Sequence, residues 1–272
     1  MGEFRADLHC HSTCSDGTLS PTELIDLAKE AGLSGLSITD HDTICAYDTA
    51  LSYAKKAQIE MIPGIEFSAS HKGVSVHILG YAFSLESQTF KEFCQRHHER
   101  RVKRYRKILK LLTAQGMPIS EEELLKISPE GSLGRPHIAQ AMCEKGYTNS
   151  VREGFLRFLK EGQPCYVKGE AFSAEETLYI IHTAGGLAII AHPHLIKPSS
   201  AAKELLELNF DGLEAYYARF SHDNNQQWID VAEKKGWLIT GGSDFHGEAK
   251  SHIHPGCSWT NETTFRMLQH HL

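Results

Sequence analysis

The sequence predicts an α/β protein built as a barrel of mostly parallel strands. Short apolar runs alternate with amphipathic stretches along most of the chain, which is the pattern of βα units. At 272 residues the chain has the size of one ordinary α/β barrel or of two modest domains. One interval, from about residue 86 to 172, carries helical periodicity but no convincing strand, and reads as an insertion.

Apolar runs place strands at 4–9, 35–39, 60–66, 75–81, 187–191, 212–216 and 238–242. The first helix between them opens at Ser20-Pro21-Thr22-Glu23. Ser20 and Glu23 form a capping box there, and Pro21 takes the first helical position. Helical segments at 88–115, 120–127, 136–146 and 150–160 fill the strandless interval. A loop that long is unusual inside a barrel. The expected division is therefore 1–86 and 167–272 for the barrel, with 87–166 a small helical insertion domain after the fourth strand. Past it, Ser173 with Glu176 three residues on starts another helix, which Gly185-Gly186 stops.

Hydrophobic residues make up 41% and charged residues 23% of the chain, and the formal net charge is -6. An acidic total argues against a protein that is basic all over and coats nucleic acid. The seven cysteines form no CxxC pair and are odd in number, which fits reduced thiols in the cytoplasm better than a disulfide framework. No window reaches the roughly 18 uninterrupted apolar residues of a membrane span, so no membrane association is expected.

The chemistry-bearing residues sit where the predicted strands end. His9-Cys10-His11 closes the first strand, with Ser15-Asp16-Gly17 in its loop. Thr39-Asp40-His41-Asp42 closes the second and Gly64-Ile65-Glu66 the third. His77 lies on the fourth, His192-Pro193-His194 ends the fifth, and Ser243-Asp244-Phe245-His246 ends the seventh. In a parallel barrel the carboxyl ends of the strands converge on one face. Residues two apart in a strand point the same way, so His9 and His11 can grip one ion, as can Asp244 and His246. Asp7 lies one step deeper on that face and is placed to orient a ligand histidine. Six histidines and three carboxylates exceed what one ion needs and suit two or three ions sharing a bridge. Clustered ions of this kind stabilise both the attacking and the leaving oxygen of a phosphate ester. Each motif alone has a plainer explanation: Asp16-Gly17 as a turn pair, Asp40 as a helix cap, a lone HxH as an accident. Their joint occurrence at six strand ends is what those explanations do not cover.

These residues resemble the polymerase and histidinol phosphatase (PHP) superfamily. The likeness covers nearly the whole chain, with the metal motifs present in order. It implies a distorted (β/α)7 barrel with three divalent ions, Mn²⁺ first among candidates and Fe²⁺ or Zn²⁺ next. On that resemblance His9 and His11 bind the first ion, with Glu66 bridging and Asp244 completing the set. Glu66, His77 and His192 hold the second ion, and Asp16, His41 and His246 the third. Gly134-Arg135-Pro136-His137-Ile138-Ala139 resembles a signature of the members related to nucleoside 3',5'-bisphosphate phosphatases and 5'-to-3' exoribonucleases. It implies that Arg135 and His137 bind substrate phosphate. Pro136 also suits the first turn of a helix, and a helix N-terminus beside an arginine is itself a good anion site.

The segment 96–110, RHHERRVKRYRKILK, carries eight Lys or Arg residues. At helical spacing Arg100, Lys103, Arg104 and Lys107 form one ridge, while Val102, Tyr105, Ile108 and Leu109 turn inward. Such a ridge is either a solvated helix face or a phosphate-steering surface, and within the segment Arg101 and Arg104 are the strongest substrate candidates. Asp40 and His194 neighbour the expected ligands as candidate catalytic groups, His194 as a proton donor. Glu214 and Lys168 are weaker candidates. The expected partner is a nucleotide or short oligonucleotide. The competing readings are a histidinol-phosphatase type of small-molecule phosphatase and a non-catalytic, metal-stabilised nucleic-acid-binding module.

Overall fold

A computed structural model describes residues 3–128, 132–218, 220 and 222–272, the side chains of 222 and 223 excepted. The chain begins β1 (Ala6–Cys10), α1 (Pro21–Glu30), β2 (Gly35–Ile38), α2 (Tyr47–Ala57), β3 (Glu60–Met61), β4 (Gly64–His71) and β5 (Val74–Tyr81). Four helical segments follow: α3 (Gln88–Ala114), α4 (Glu121–Ile127), α5 (Arg135–Glu144) and α6 (Val151–Gly154), the last running into a π-turn at Phe155–Leu159. The remainder is β6 (Phe172–Ser173), α7 (Ala174–Thr183), β7 (Leu187–Ile190), α8 (Ser199–Leu205), β8 (Gly212–Tyr217), α9 (His222–Lys235), β9 (Leu238–Gly242) and α10 (Glu262–His271). The capping box at Ser20 and Glu23 is present, and Ser173 caps α7.

The strands form two sheets, β1-β2-β3 and β6-β4-β5-β7-β8-β9. Two seams join them into a closed, distorted barrel. At one, Glu66 N donates to Asp40 O (3.3 Å) and Asp42 N to Glu66 O (3.1 Å). At the other, Asp244 N donates to His9 O (2.7 Å) and His11 N to Phe245 O (2.9 Å). Both seams lie among the predicted ligands, which therefore sit where the two sheets meet.

One expectation is corrected here. The predicted strand 60–66 is two strands, and β4 runs on to His71 before turning back as β5. β4 and β5 are antiparallel, as are β5 and β7. Glu66 and His77 therefore lie within a hairpin and not at parallel strand ends. Period-two alternation puts Glu66, Ser68 and Ser70 on one face of β4.

Helices α3 to α6 gather round an apolar cluster of their own that includes Tyr105, Ile108, Leu109, Leu112, Leu124, Ile138 and Met142. The inward face expected of 96–110 is the observed one, since Tyr105, Ile108 and Leu109 are buried and Val102 packs against them. Lys103 and Lys107 are exposed. A separate cluster in the barrel takes in Phe67 and Ile181 together with Phe90 and Phe93 from the start of α3, so the first turns of that helix pack on the barrel although they lie within the expected insertion 87–166. All seven cysteines are free thiols. No helix among the described residues is long and apolar enough to cross a membrane.

Candidate metal centre

Glu66 is the hub of the site. Its Oε2 lies 3.3 Å from His9 Nε2, 3.1 Å from His11 Nε2 and 3.2 Å from His41 Nδ1. Its Oε1 lies 2.7 Å from His77 Nδ1 and 2.9 Å from His192 Nε2. Asp244 Oδ1 sits 3.5 Å from His9 Nε2 and 3.4 Å from His11 Nε2. Asp16 stands 3.3 Å from His246 Nε2, 3.6 Å from His11 Nδ1 and 3.9 Å from His41 Nε2. All nine predicted ligands thus share one cluster.

Their atoms fall into three groups, each close enough to hold one ion: His9, His11, Glu66 and Asp244; His11, Asp16, His41 and His246; and His41, Glu66 and His77. The third group differs from the expected one, because His41 takes the place assigned to His192. His192 remains beside the other carboxylate oxygen of Glu66.

The donor set fits divalent ions. Two ligands each about 2.1 Å from one ion, at a tetrahedral angle, stand about 3.4 Å apart, and most of the N···O distances above are close to that. His9 Nε2, His11 Nε2 and His41 Nδ1 are buried without a hydrogen-bond partner although each faces a carboxylate. Aromatic rings stack closely at the centre, with His11 and His246 centroids 4.0 Å apart. Burial tends to lower the His11 imidazolium, yet the adjacent carboxylates of Asp244 and Glu66 hold it up at about 9. Burial pushes His41 down to about 3, which Glu66 and Asp16 only partly offset. Burial raises Glu66, but His77, His41 and His9 outweigh it and keep the carboxylate well below its ordinary range. The carboxylates are therefore ionised and ready to accept cations.

A second layer orients these ligands. Glu214 Oε1 lies 2.9 Å from His9 Nδ1, leaving Nε2 to face the centre, and its Oε2 accepts from His192 N at 2.8 Å. Tyr217 Oη and Lys250 Nζ donate to Asp244 Oδ2 at 2.7 and 2.6 Å, which turns Oδ1 toward His9 and His11. Asp42 accepts from Ser68 N (2.7 Å), Ser68 Oγ (3.0 Å) and Arg101 Nε and Nη2, with His97 Nδ1 3.1 Å away. Sequence reasoning singled out neither Asp42 nor His97, and it gave Glu214 no firm role.

Beside the centre a cleft of about 530 Å³ opens between the barrel mouth and the inserted helices. Asp16, His41 and His77 line it, as do Arg100, Arg101, Arg104, Arg135 and Lys168. Arg135 heads α5, with its guanidinium over the rings of Phe155 (5.2 Å) and Tyr166 (5.8 Å). Burial and the nearby Arg135 lower Arg104 to about 10, so it stays cationic at neutral pH.

Four expectations change in the structure. His137 is not among the residues lining the cleft; its Nδ1 accepts from Gly134 N at 3.0 Å and so caps its own helix. Asp40 is buried and takes Ser12 N (2.8 Å), Ser12 Oγ (2.6 Å) and Ser15 Oγ (2.5 Å), so it shapes the loop that carries Asp16 and is not among the residues lining the cleft. His194 packs against Phe220 with ring centroids 4.8 Å apart, and burial pushes it down to about 4. It is therefore neutral at pH 7 and poorly placed to donate a proton. Asp7 binds the backbone of His9, Ser243 and Gly256 and not an imidazole.

The sequence and the overall fold are similar to those of other proteins. Residues 7–167 match the PHP domain model, which takes in the first six ligands of the centre. A 5'-3' exoribonuclease of Haemophilus influenzae is 34% identical over 88% of this chain and 89% of its own length. A 3',5'-nucleoside bisphosphate phosphatase of Chromobacterium violaceum is 31% identical over 88% and 86%. Among solved structures, a proposed metal-dependent phosphoesterase of Bifidobacterium adolescentis superposes with a TM-score of 0.89 at 26% identity, covering 98% of this chain and 96% of that one. With the motif order, the clustered ligands and matches over nearly the whole length in agreement, the chain belongs to the PHP family.

Proposed function

We propose that the chain hydrolyses phosphate esters of nucleotides with three divalent ions, Mn²⁺ being the preferred metal. Its substrates would be nucleoside 3',5'-bisphosphates, which lose the 3'-phosphate, or short 5'-phosphorylated RNA or DNA, degraded from the 5' end. The observation that carries this reading is the position of Glu66, shared by three histidines on one oxygen and two on the other, at the edge of an arginine-lined cleft. The names of the Haemophilus and Chromobacterium relatives point to the same substrate class. On this reading 1–86 and 167–272 form the metal-binding barrel and 87–166 the domain that grips substrate.

His9, His11, Glu66 and Asp244, with Asp16, His41, His77, His192 and His246, would hold the ions. Bound there, the ions supply Lewis acidity for activating water and offsetting phosphoryl charge. Arg135 holds the phosphate that is not cleaved and so fixes which ester faces the centre. Arg104 adds positive charge along the wall of the cleft, while Arg101 lines it with its charge paired to Asp42. Asp40, through Ser12 and Ser15, keeps the Asp16 loop in place.

The test is an assay of purified protein with Mn²⁺ on adenosine 3',5'-bisphosphate and on a 5'-phosphorylated RNA of a few nucleotides. AMP from the first and shortened RNA from the second are the expected products. Asp16→Ala should abolish both, and Arg135→Ala should lower kcat/KM about 100-fold, the scale of losing a charge-assisted phosphate contact. Turnover of neither substrate by metal-loaded protein would sink the nucleotide reading and make histidinol phosphate the next compound to try.

A further inference from the structure

A nucleoside bisphosphate needs two anion positions, one at the metal centre and one at Arg135. The cleft offers more. Strand β4 leads away from Glu66 with Ser68 and Ser70 on the same face, and both serines line the cleft. At four residues of strand spacing, Ser70 lies about 13 Å along β4 from the hub. There β6 pairs with β4, Ala69 opposite Phe172 and Ser70 opposite Ser173.

Arg100 of α3 stands at this end. Its guanidinium carbon is 3.3 Å from the centroid of the Phe172 ring, which is buried and so fixes the cation in place. Its neighbours on the helix are neutralised: Arg96 pairs with Glu176 at 3.0 Å, and Arg101 with Asp42. Among the described residues no carboxylate lies within ion-pair distance of Arg100, and its Nη1 is buried without a hydrogen-bond partner. Glu170 and Glu176 attract it only from beyond ion-pair distance, so a cation held on a ring at the cleft wall with no anion in contact is suited to take a phosphate.

We propose that Arg100, seated on Phe172 and lining the same cleft as Ser68 and Ser70, binds a phosphodiester on the 3' side of the scissile bond. The cleft would then receive an oligonucleotide, with the 5'-phosphate at Arg135, the first linkage at the metals and the chain leaving past Arg100. This rests on the nucleotide-hydrolase reading above and extends it to substrate length.

The experiment compares kcat/KM for adenosine 3',5'-bisphosphate and for a 5'-phosphorylated tetranucleotide, in wild type, Arg100→Gln and Arg100→Lys. Arg100→Gln should lower the ratio of tetranucleotide to bisphosphate efficiency about tenfold, and Arg100→Lys should restore most of it. The slope of log KM against log salt for the tetranucleotide should flatten by about 0.7 in Arg100→Gln, the value for one phosphate contact on a single strand. An unchanged ratio, or an equal loss on both substrates, overturns the proposal and leaves Arg100 as a packing residue of α3. If wild type cleaves neither compound, the hydrolase reading has failed on its own. Fluorescence anisotropy with a 3'-labelled tetranucleotide then decides the Arg100 site, and equal affinity of wild type and Arg100→Gln rejects it.

Discussion

Asp42 follows a metal ligand directly, adopts a left-handed backbone (φ 61°), and is tied to Ser68, His97 and Arg101. It joins the His41 loop to the first inserted helix. Burial raises its pKa, but His97 and Arg101 outweigh that and leave it well below the ordinary carboxylate range. A depressed folded-state value contributes stability above the unfolded value of about 3.9, and the contribution fades as pH falls through the folded value. Asp42→Asn should therefore cost about 3 kcal/mol at neutral pH, read by urea denaturation, and the gap from wild type should narrow below about pH 4. Glu214→Gln, which disturbs the tautomer of His9, should weaken Mn²⁺ binding about 10- to 100-fold by calorimetry while the protein stays folded. The residues that cluster round Glu66 were legible in sequence because most of them sit in a short motif at the edge of an apolar run. The Asp42 network was hidden because Arg101 is 59 positions away and His97 lies in a basic helix with no telling pattern. Arg135 was legible from its motif, whereas the inward-capping geometry of His137 was not.

At the scale of elements, the β4–β5 hairpin departs most from expectation. Its sequence, IEFSASHKGVSVHILGY, alternates with period two on both arms, but serines and two histidines dilute the apolar signal that marked strands elsewhere. The turn carries Lys72 at φ 47° and Gly73 at φ 86°, positive values suited to a tight hairpin. A Cβ on Gly73 would meet nothing within 4 Å, so the cost of replacing it is conformational. Gly73→Ala should destabilise by about 1 kcal/mol in urea titration, with little change in metal binding. The helical interval was easier to read, because α3 to α5 lie close to their predicted ranges and carry periodic apolar faces. The placement of β6 against β4, which seats Phe172 beneath Arg100, left no sequence signal beyond two residues.

For the whole molecule, closure depends on two seams of a few backbone hydrogen bonds each, and on the ligand cluster that sits across both. Ions held there would link β1, β4, β5 and the segments after β2, β7 and β9. Mn²⁺ at about 100 times its Kd should stabilise the fold by about 2.7 kcal/mol. The corresponding measurement is a rise in Tm with Mn²⁺ that EDTA reverses and Asp16→Ala diminishes; a Tm indifferent to both would mean that no ions link the strands. The α/β class and the face that carries the site were readable from strand order and motif position. The antiparallel pairing was not, because register is set by contacts between strands and not within them. The seam between β1 and the end of β9 also bears on synthesis. A chain emerging from the ribosome offers His9, His11, Asp16, His41, Glu66 and His77 early, and waits for Asp244 and His246 until most of its length has been translated. The first strand keeps one edge unpaired for that whole interval, so a prematurely terminated chain exposes it, together with a ring of imidazoles that nothing completes.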